Sequence, residues 1–114
     1  MKTKPKTLTI KDGNRERPVS FQLSRYASNG NLYVGLFDYS REKPEFLFDI
    51  TVNLDKKCEP DCSFVDINNW PNIDRWLMYH GFANPTMEWE DSGFCWYPEF
   101  RFNMEKLHEY GEEF

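Results

Sequence analysis

The first half of the chain alternates apolar and polar residues, a pattern typical of strands with one buried face. Two such segments cover residues 7–10 and 19–23, and the Asn-Gly pair at 29–30 predicts a hairpin turn from the second of them into a further strand at 32–39. The longest alternation covers residues 46–54 and predicts one strand with its apolar face on the core. Short links between these segments predict an antiparallel meander. The apolar positions of the longest segment are Phe46, Phe48, Ile50, Val52 and Leu54.

A short amphipathic helix is predicted after a further strand at residues 63–67. The segment from Asn68 to Pro71 predicts its start, because proline suits the first helical turn, and Gly81 predicts its end. The inward face has helical spacing and consists of Ile73, Trp76, Leu77 and His80.

Two strands are predicted at residues 86–91 and 94–102, the second of them rich in aromatic residues, joined by a turn at Ser92 and Gly93. Because proline has no N–H, Pro98 requires that its strand lie at a sheet edge or contain a bulge. Side chains of one parity in the second strand are predicted to share a face, namely Phe94, Trp96, Phe100 and Phe102.

The C-terminal residues predict a second helix, with Asn103 as its cap and Gly111 at its end. Taken together, the patterns predict an α+β fold in a single domain of residues 1–114. Its antiparallel β-sheet meander has about five or six strands, with one or two short helices packed on one face. Residues 1–6 are predicted to form a flexible basic N-terminal arm.

Composition narrows the class of protein. Aromatic residues make up 18% of the chain, which argues against disorder. Apolar runs are too short for a membrane-spanning helix, so no membrane partner is predicted. The basic N-terminus has no apolar segment behind it, unlike a secretory signal, and the prediction is a cytoplasmic protein.

Charge is unevenly distributed along the chain. Residues 1–26 have seven Lys/Arg and two Asp/Glu, whereas residues 27–114 have seven Lys/Arg and seventeen Asp/Glu. The acidic body fits a protein partner with a basic surface and has the wrong sign for gripping phosphates. A nucleic-acid-binding regulator remains an alternative, which would use the basic arm residues Lys2, Lys4, Lys6 and Lys11.

Candidate metal ligands are few. Cys58 and Cys62 have a chelate-like spacing, but structural zinc needs four ligands, and only Cys95 and His80 could complete the set. The odd cysteine count and the missing export signal favour reduced thiols. No metal and no cofactor is therefore assigned.

Candidate catalytic groups are equally sparse. A thiol nucleophile would need Cys95 beside His80 or His108. Carboxylate pairs such as Asp61 with Asp66, or Glu88 with Glu90, are expected in so acidic a segment without any catalytic role. Phosphate-loop, dinucleotide and serine-hydrolase patterns are absent from the sequence. No catalytic residue is assigned, and a metal- or thiol-dependent enzyme is kept as an alternative.

Tryptophan is unusually frequent, and tryptophan is enriched in binding hot spots. Trp76 and Trp96 are predicted to fill the core, whereas Trp70 and Trp89 lie at polar or boundary positions. We therefore predict a partner-binding surface of aromatic and acidic side chains, made of Glu88, Trp89, Glu90, Asp91, Glu59, Asp61 and Trp70.

Several short motifs resemble a small bacterial family, the domain of unknown function family numbered 4313. They occur in order over residues 30–110 as Thr-Val-Asn-Leu, Phe-Val-Asp-Ile-Asn-Asn, Asn-Pro-Thr and Ser-Gly-Phe-Cys-Trp-Tyr-Pro. The chain departs from the family pattern in the loop at 55–61 and at Trp96, and Cys58 is not a family feature. The motif residues carried over are Asp66, Asn68, Asn69, Gly93 and Phe94.

The resemblance implies a context for the protein more than a mechanism. Proteins of this kind look like cargo of mobile genetic elements, namely conjugative elements and phages of Gram-positive bacteria. They are similar to anti-defence inhibitors, including anti-CRISPR proteins against Cas9-type RNA-guided nucleases. The partner that the resemblance implies is such a nuclease or its guide-RNA complex, which offers positively charged channels to an acidic inhibitor.

Overall fold

Two β-sheets and two short helices make up the fold in a computed structural model that describes residues 4–114. The α+β class and the two short helices confirm the prediction. The described elements, in chain order, are β1 (Leu8–Asp12), β2 (Arg15–Arg25), β3 (Leu32–Asp38), β4 (Glu45–Asp49), β5 (Thr51–Val52), β6 (Cys62–Val65), α1 (Ile73–Tyr79), β7 (Ala83–Ser92), β8 (Cys95–Phe102), α2 (Met104–Glu109) and β9 (Gly111–Glu113).

The first sheet is an antiparallel meander in the order β1-β2-β3-β4. The eleven-residue strand β2 is long enough to have two partners along one edge. Its first part pairs with β1, and the part from Phe21 to Leu23 pairs in parallel with β9. Sequence patterns did not predict β9, because its three residues are too few to show an alternation.

The second sheet has the order β5-β6-β8-β7, so the described strands number nine in two sheets where the sequence predicts five or six in one meander. The predicted strand over 46–54 is divided at Ile50. Ile50 N–H donates to Val34 O in the first sheet, and its carbonyl accepts from Asp66 N beside the second, both at 2.9 Å. This buried residue therefore carries the chain from one sheet to the other.

The predicted burial of Phe46 is wrong, since about half of this side chain is exposed. The β3–β4 ladder shifts between Leu36, which pairs with Phe48, and Phe37, which pairs with Phe46. A bulge moves the following side chain to the other face of a sheet. Phe46 therefore packs against Phe37 on the outer face, with ring centroids 5.5 Å apart.

Both helices lie where they are predicted, but only the end of α1 and the start of α2 follow their predicted caps. Ile73 and Leu77 of α1 are buried, and Gly81 takes a φ of 74° after its last turn, as predicted. The predicted start at Asn68–Pro71 is too early, because a turn occupies residues 67–72 and Ile73 is the first helical residue. In α2, the Asn103 side chain accepts from Lys106 N at 3.1 Å. None of the described helices is long and apolar enough to cross a membrane.

The predicted flexible arm over 1–6 differs from the structure at its end. Residues 1–3, with Lys2, lie outside the described residues. Lys6 N–H donates to Glu109 O at 3.1 Å, and its ammonium pairs with the Glu109 carboxylate at 2.7 Å. Ser20 Oγ also donates to Lys6 O. Lys6 is thus attached to α2 and β2, and it is already paired with an acid.

An ion cluster closes the core at one end of the first sheet. The Arg17 guanidinium donates to Asp38 at 3.2 Å and to Glu45 at 3.1 Å, and its Nε lies 3.2 Å from Asp12. The side chain of Asp38 is only 6% exposed. Burial alone would raise the pKa of Asp38, but hydrogen bonds from Ser40 and the Arg17 charge outweigh burial and hold it below its ordinary value.

We expect the stability of the fold to fall in acid through Asp38. A carboxyl with a lowered pKa in the folded state stabilises the fold above its unfolded pKa, and this contribution is lost as pH falls through the folded pKa. Urea unfolding between about pH 7 and pH 3 should show a steeper loss below about pH 4 in the wild type than in Asp38→Asn. Asp12→Asn, at the exposed end of the cluster, is the control. Equal slopes for wild type and Asp38→Asn would contradict this role.

Candidate functional site

The strands β7 and β8 form a hairpin with a two-residue loop. Ser92 pairs with Cys95, which leaves Gly93 and Phe94 at the loop. Gly93 has a φ of 63°, a conformation that favours glycine, whereas Phe94 is not among the positive-φ residues. Glycine at the first loop position is the pattern of a type II′ turn. The second position accepts most residues, and the Phe94 side chain is fully exposed, so this fold does not require an aromatic there.

A bulge separates the outer part of the hairpin from the rest of the second sheet. The ladder passes from Pro85 opposite Phe100 to Trp89 opposite Pro98, so that three residues of β7 face one of β8. Met87 lies in this bulge with a φ of 76°, and most of its side chain is exposed.

Pro98 was predicted to lie in an edge strand or at a bulge. β8 as a whole lies between β6 and β7, but at Pro98 its one strand partner among the described residues is β7, so the predicted edge position holds locally. A bulge does adjoin Pro98, but its extra residues belong to the facing strand β7 and not, as predicted, to the strand that contains the proline. The pairing of β6 with β8 ends at Glu99, so the missing N–H of Pro98 removes no bond to β6. Beyond this point the hairpin is a two-stranded ribbon.

One face of the ribbon continues the core-facing side of the second sheet. Phe100 is buried, as is Pro98. At the next position on the same face, Trp96 is 45% exposed, and Trp89 opposite Pro98 is 54% exposed, with the two indole centroids 6.4 Å apart. The prediction that Trp96 fills the core is therefore wrong. Strand parity predicted correctly which face of β8 Trp96 occupies, but the core covers this face only as far as Pro98.

These exposed apolar side chains form what we call the tip patch, defined as Met87, Trp89, Phe94 and Trp96. Sequence reasoning found Trp89 and missed the others as surface groups. The signal was present in the short distance of each from the Ser92–Gly93 turn, since a hairpin end has few elements near it to cover a large side chain.

Acidic side chains border the tip patch. Glu88 and Asp91 are exposed and make no ion pair with any other described residue. Asp91 shares the ribbon face of Trp89, because it pairs with Trp96. Glu90 lies on the opposite face and pairs with Lys56 at 3.4 Å. In the predicted segment Glu88–Asp91, the carboxylates of Glu88 and Asp91 are thus available to a partner, whereas that of Glu90 is already paired with Lys56.

The predicted acidic loop does not join the tip patch. Glu59 and Asp61 both pair with Arg101, at 3.0 and 2.7 Å. Burial alone would raise the pKa of Asp61, but the Arg101 guanidinium holds it below its ordinary value. Arg101 has the opposite parity to Trp96 along β8, so this loop belongs to the other face of the second sheet.

Trp70 is likewise separate from the tip patch, contrary to its predicted place in the binding surface. Its ring stacks on Phe48 at 5.4 Å and contacts Trp76 at 5.3 Å. It also lines a cavity of about 190 Å³ between β1 and β4, together with Ile10 and Leu47. Its half-buried ring packs on the margin of the core.

Most of the family-motif residues stabilise turns of the fold. Asp66 accepts hydrogen bonds from Asn68 N at 3.1 Å and Asn69 N at 3.2 Å, which folds the turn between β6 and α1. Gly93 supplies the positive φ of the hairpin turn. Phe94 differs from these four, because its side chain has no visible role in holding the fold.

The candidate zinc ligands are not brought together as a set. Among the described residues, the one group with metal-ligand spacing is Glu59, Asp61 and Cys62, whose donor atoms lie within 4.8 Å of one another. Arg101 already binds both carboxylates. Burial, with a smaller contribution from the neighbouring Glu99, raises the pKa of Cys58 to about 12.

The candidate catalytic histidines pack against or pair with other groups. Burial raises the pKa of Cys62 to about 12, which keeps this thiol protonated at neutral pH. The His80 ring packs against Trp76 and Phe82, and burial lowers its pKa. Both ring nitrogens of His108 have partners, Met104 O at 2.7 Å and the Glu113 carboxylate at 2.9 Å. Cys95 lies instead at the hairpin turn.

Among the comparisons with known proteins, the one match is to a protein family. No curated protein and no solved structure matches the chain. One family model does match, over residues 20–114, and it is described as a domain of unknown function, DUF4313. The match covers every strand from β3 onward, including the hairpin with its tip patch. The chain therefore belongs to the DUF4313 family.

Proposed function

We propose that this protein is a non-enzymatic binding protein that docks on a protein partner through the tip patch. The observation that carries the proposal is Phe94, a fully exposed aromatic ring on a loop position that could hold a small polar residue. Phe94 is accompanied by further exposed apolar side chains on the same hairpin, and grouped exposed apolar surface marks a site of protein interaction.

The surroundings of Phe94 support docking on a protein. Met87, Trp89 and Trp96 are exposed within ten residues of chain, and clustered aromatic side chains dominate the binding energy of protein interfaces. The neighbouring carboxylates of Glu88 and Asp91 favour an apolar depression with a basic rim on the partner.

We further propose an anti-defence inhibitor of a mobile genetic element, acting in the bacterial cytoplasm as an anti-CRISPR protein. The family resemblance supports this partner class, a Cas9-type nuclease or its guide-RNA complex. Such nucleases hold nucleic acid in positively charged channels, which attract an acidic protein and orient its approach. Inhibition would be stoichiometric, since binding alone blocks the surface.

The aromatic contribution is tested with a purified, guide-loaded Cas9-type nuclease. Wild-type protein should bind it and inhibit DNA cleavage at equimolar ratio. Trp89→Ala and Phe94→Ala should each lower the affinity by about thirtyfold, as expected for an anchor worth about 2 kcal/mol. Phe46→Ala removes a ring outside the tip patch that is about as exposed as that of Trp89, and it should not change binding. Equal binding by all three variants would show that the tip patch is not the docking surface.

The charge contribution is tested with the double variant Glu88→Lys/Asp91→Lys. We expect it to abolish binding, because it places positive charge against a basic rim. Raising the salt concentration from about 0.1 to about 0.5 M should weaken wild-type binding. Glu16→Lys, an exposed acid on β2, is the matched control. Inhibition that survives the double reversal would contradict the assignment of this acidic rim.

A gel-shift experiment distinguishes docking through the tip patch from the alternative function, a nucleic-acid-binding regulator. It would depend on the arm lysines, of which Lys6 is already paired with Glu109. DNA retention that is lost in Lys4→Glu/Lys11→Glu and unaffected by Phe94→Ala would favour that alternative over docking through the tip patch.

A further inference from the structure

The outer part of β7 has an open backbone edge. Among residues 4–114, β7 pairs with β8 alone. Beyond the bulge, the segment Trp89–Ser92 continues its ladder with β8, while its other edge has no neighbouring strand in this described part. Alternate N–H and C=O groups of an edge strand point away from the sheet and can pair with another strand.

Two features limit what can pair with this edge. Pro85 and the bulge at 86–88 interrupt the strand, so the regular edge is only four residues long. Carboxylates occur at Glu88, Glu90 and Asp91, so an antiparallel pairing of two copies would bring acid close to acid. Like charges on facing strands are destabilising, which excludes a second copy of this chain as the fitting occupant.

We propose that the segment Trp89–Ser92 accepts an extended basic segment of the partner protein as an additional strand on the open edge of β7. The proposal rests on the proposed function, because it names how the partner engages the tip patch. Backbone hydrogen bonds would supply affinity, and the side chains of the edge would supply selectivity.

The side chains of the edge define the partner sequence. Trp89 and Asp91 lie on one face and Glu90 on the other, as successive strand residues do. A strand added beside them therefore needs an apolar residue next to Trp89 and basic residues next to Glu90 and Asp91. Glu90 already pairs with Lys56, so Asp91 provides the stronger attraction for the incoming charge.

The test uses a blocked synthetic peptide that repeats Val-Lys-Lys-Lys, so that a shift by one repeat keeps the same N–H groups on the same edge, with two isomers that are N-methylated at alternate residues. In a strand, successive N–H groups point to opposite edges, so only one isomer loses the hydrogen bonds to β7. We expect the unmodified peptide and one isomer to bind with similar affinity and the other isomer to bind about tenfold more weakly or worse. Slower hydrogen exchange at residues 89–92 should accompany binding.

Equal affinity of the two isomers, or no binding of the unmodified peptide, would overturn strand addition. Asp91→Lys should weaken the peptide complex, whereas Glu16→Lys should not. The two proposals fail separately. If Phe94→Ala loses the nuclease while the isomers bind alike, docking stands and strand addition is wrong. If Phe94→Ala retains the nuclease fully, the proposed function itself is wrong.

Discussion

Replacing Gly111 with alanine is expected to lower the free energy of unfolding by about 3 kcal/mol. Gly111 begins β9 and lies where α2 and β2 meet. A Cβ at this position would stand 2.7 Å from Leu107 O and 2.9 Å from both the Cβ and the O of Phe21. Two of these atoms are backbone, so relief requires β9 or α2 to move. Because β9 pairs in parallel with β2 at Phe21, that movement also weakens the pairing.

Urea denaturation with paired fluorescence and circular dichroism measurements checks this prediction. Gly13→Ala is the matched control, since Gly13 has a φ of 66° and no atom near the added methyl group. Its cost should be the conformational one alone, about 1 kcal/mol. If both variants lose the same free energy, close approach at Gly111 is not what selects glycine.

Replacing Phe82 with alanine should cost about 4 kcal/mol, as truncation of a fully buried aromatic side chain does. Phe82 follows α1 and is completely buried. Its ring centroid lies 4.8 Å from that of Phe21, 5.7 Å from that of Trp76 and 5.5 Å from that of Tyr110. Lys106 Nζ adds a cation 5.2 Å from the centroid. The ring thus joins α1, α2 and the first sheet.

Phe94→Ala is the contrasting variant, because it removes the same side chain from a fully exposed position. Its free energy of unfolding should stay within about 0.5 kcal/mol of the wild type. This pair of variants is also a control for the binding experiments, since it shows that Phe94→Ala remains folded when it loses binding. A large destabilisation by Phe94→Ala would mean that the ring supports the fold and would remove the main support for docking.

Local signals predicted the parts of the fold that depend on neighbours in the chain. The turn at Gly30, the cap at Asn103 and the helix end at Gly81 all appear as expected. Each depends on φ preferences or hydrogen bonds within a few residues. The division of residues 46–54 at Ile50 had no such signal, because Phe48 and Val52 have the same strand parity on either side of it.

In the candidate site too, neighbouring residues predicted some features, whereas contacts between residues distant in sequence decided the others. Sequence identified Glu88–Asp91, but it also included Trp70 and the loop at Glu59 and Asp61, which pack or pair elsewhere. Partners distant in sequence, such as Arg101, decide whether an acid is available. No pattern of neighbouring residues contains that information.

The amino-acid sequence by itself determined the α+β class, most caps and turns and the strand parity, because these follow from backbone preferences and periodicity. Its short motifs indicated the family. Only the tertiary structure decided which side chains on a given strand face are covered by other elements. Trp96 and Phe100 share one face of β8, yet one lies in solvent and the other in the core. Burial depends on where the opposing layer ends, and that limit is set by packing between distant parts of the chain.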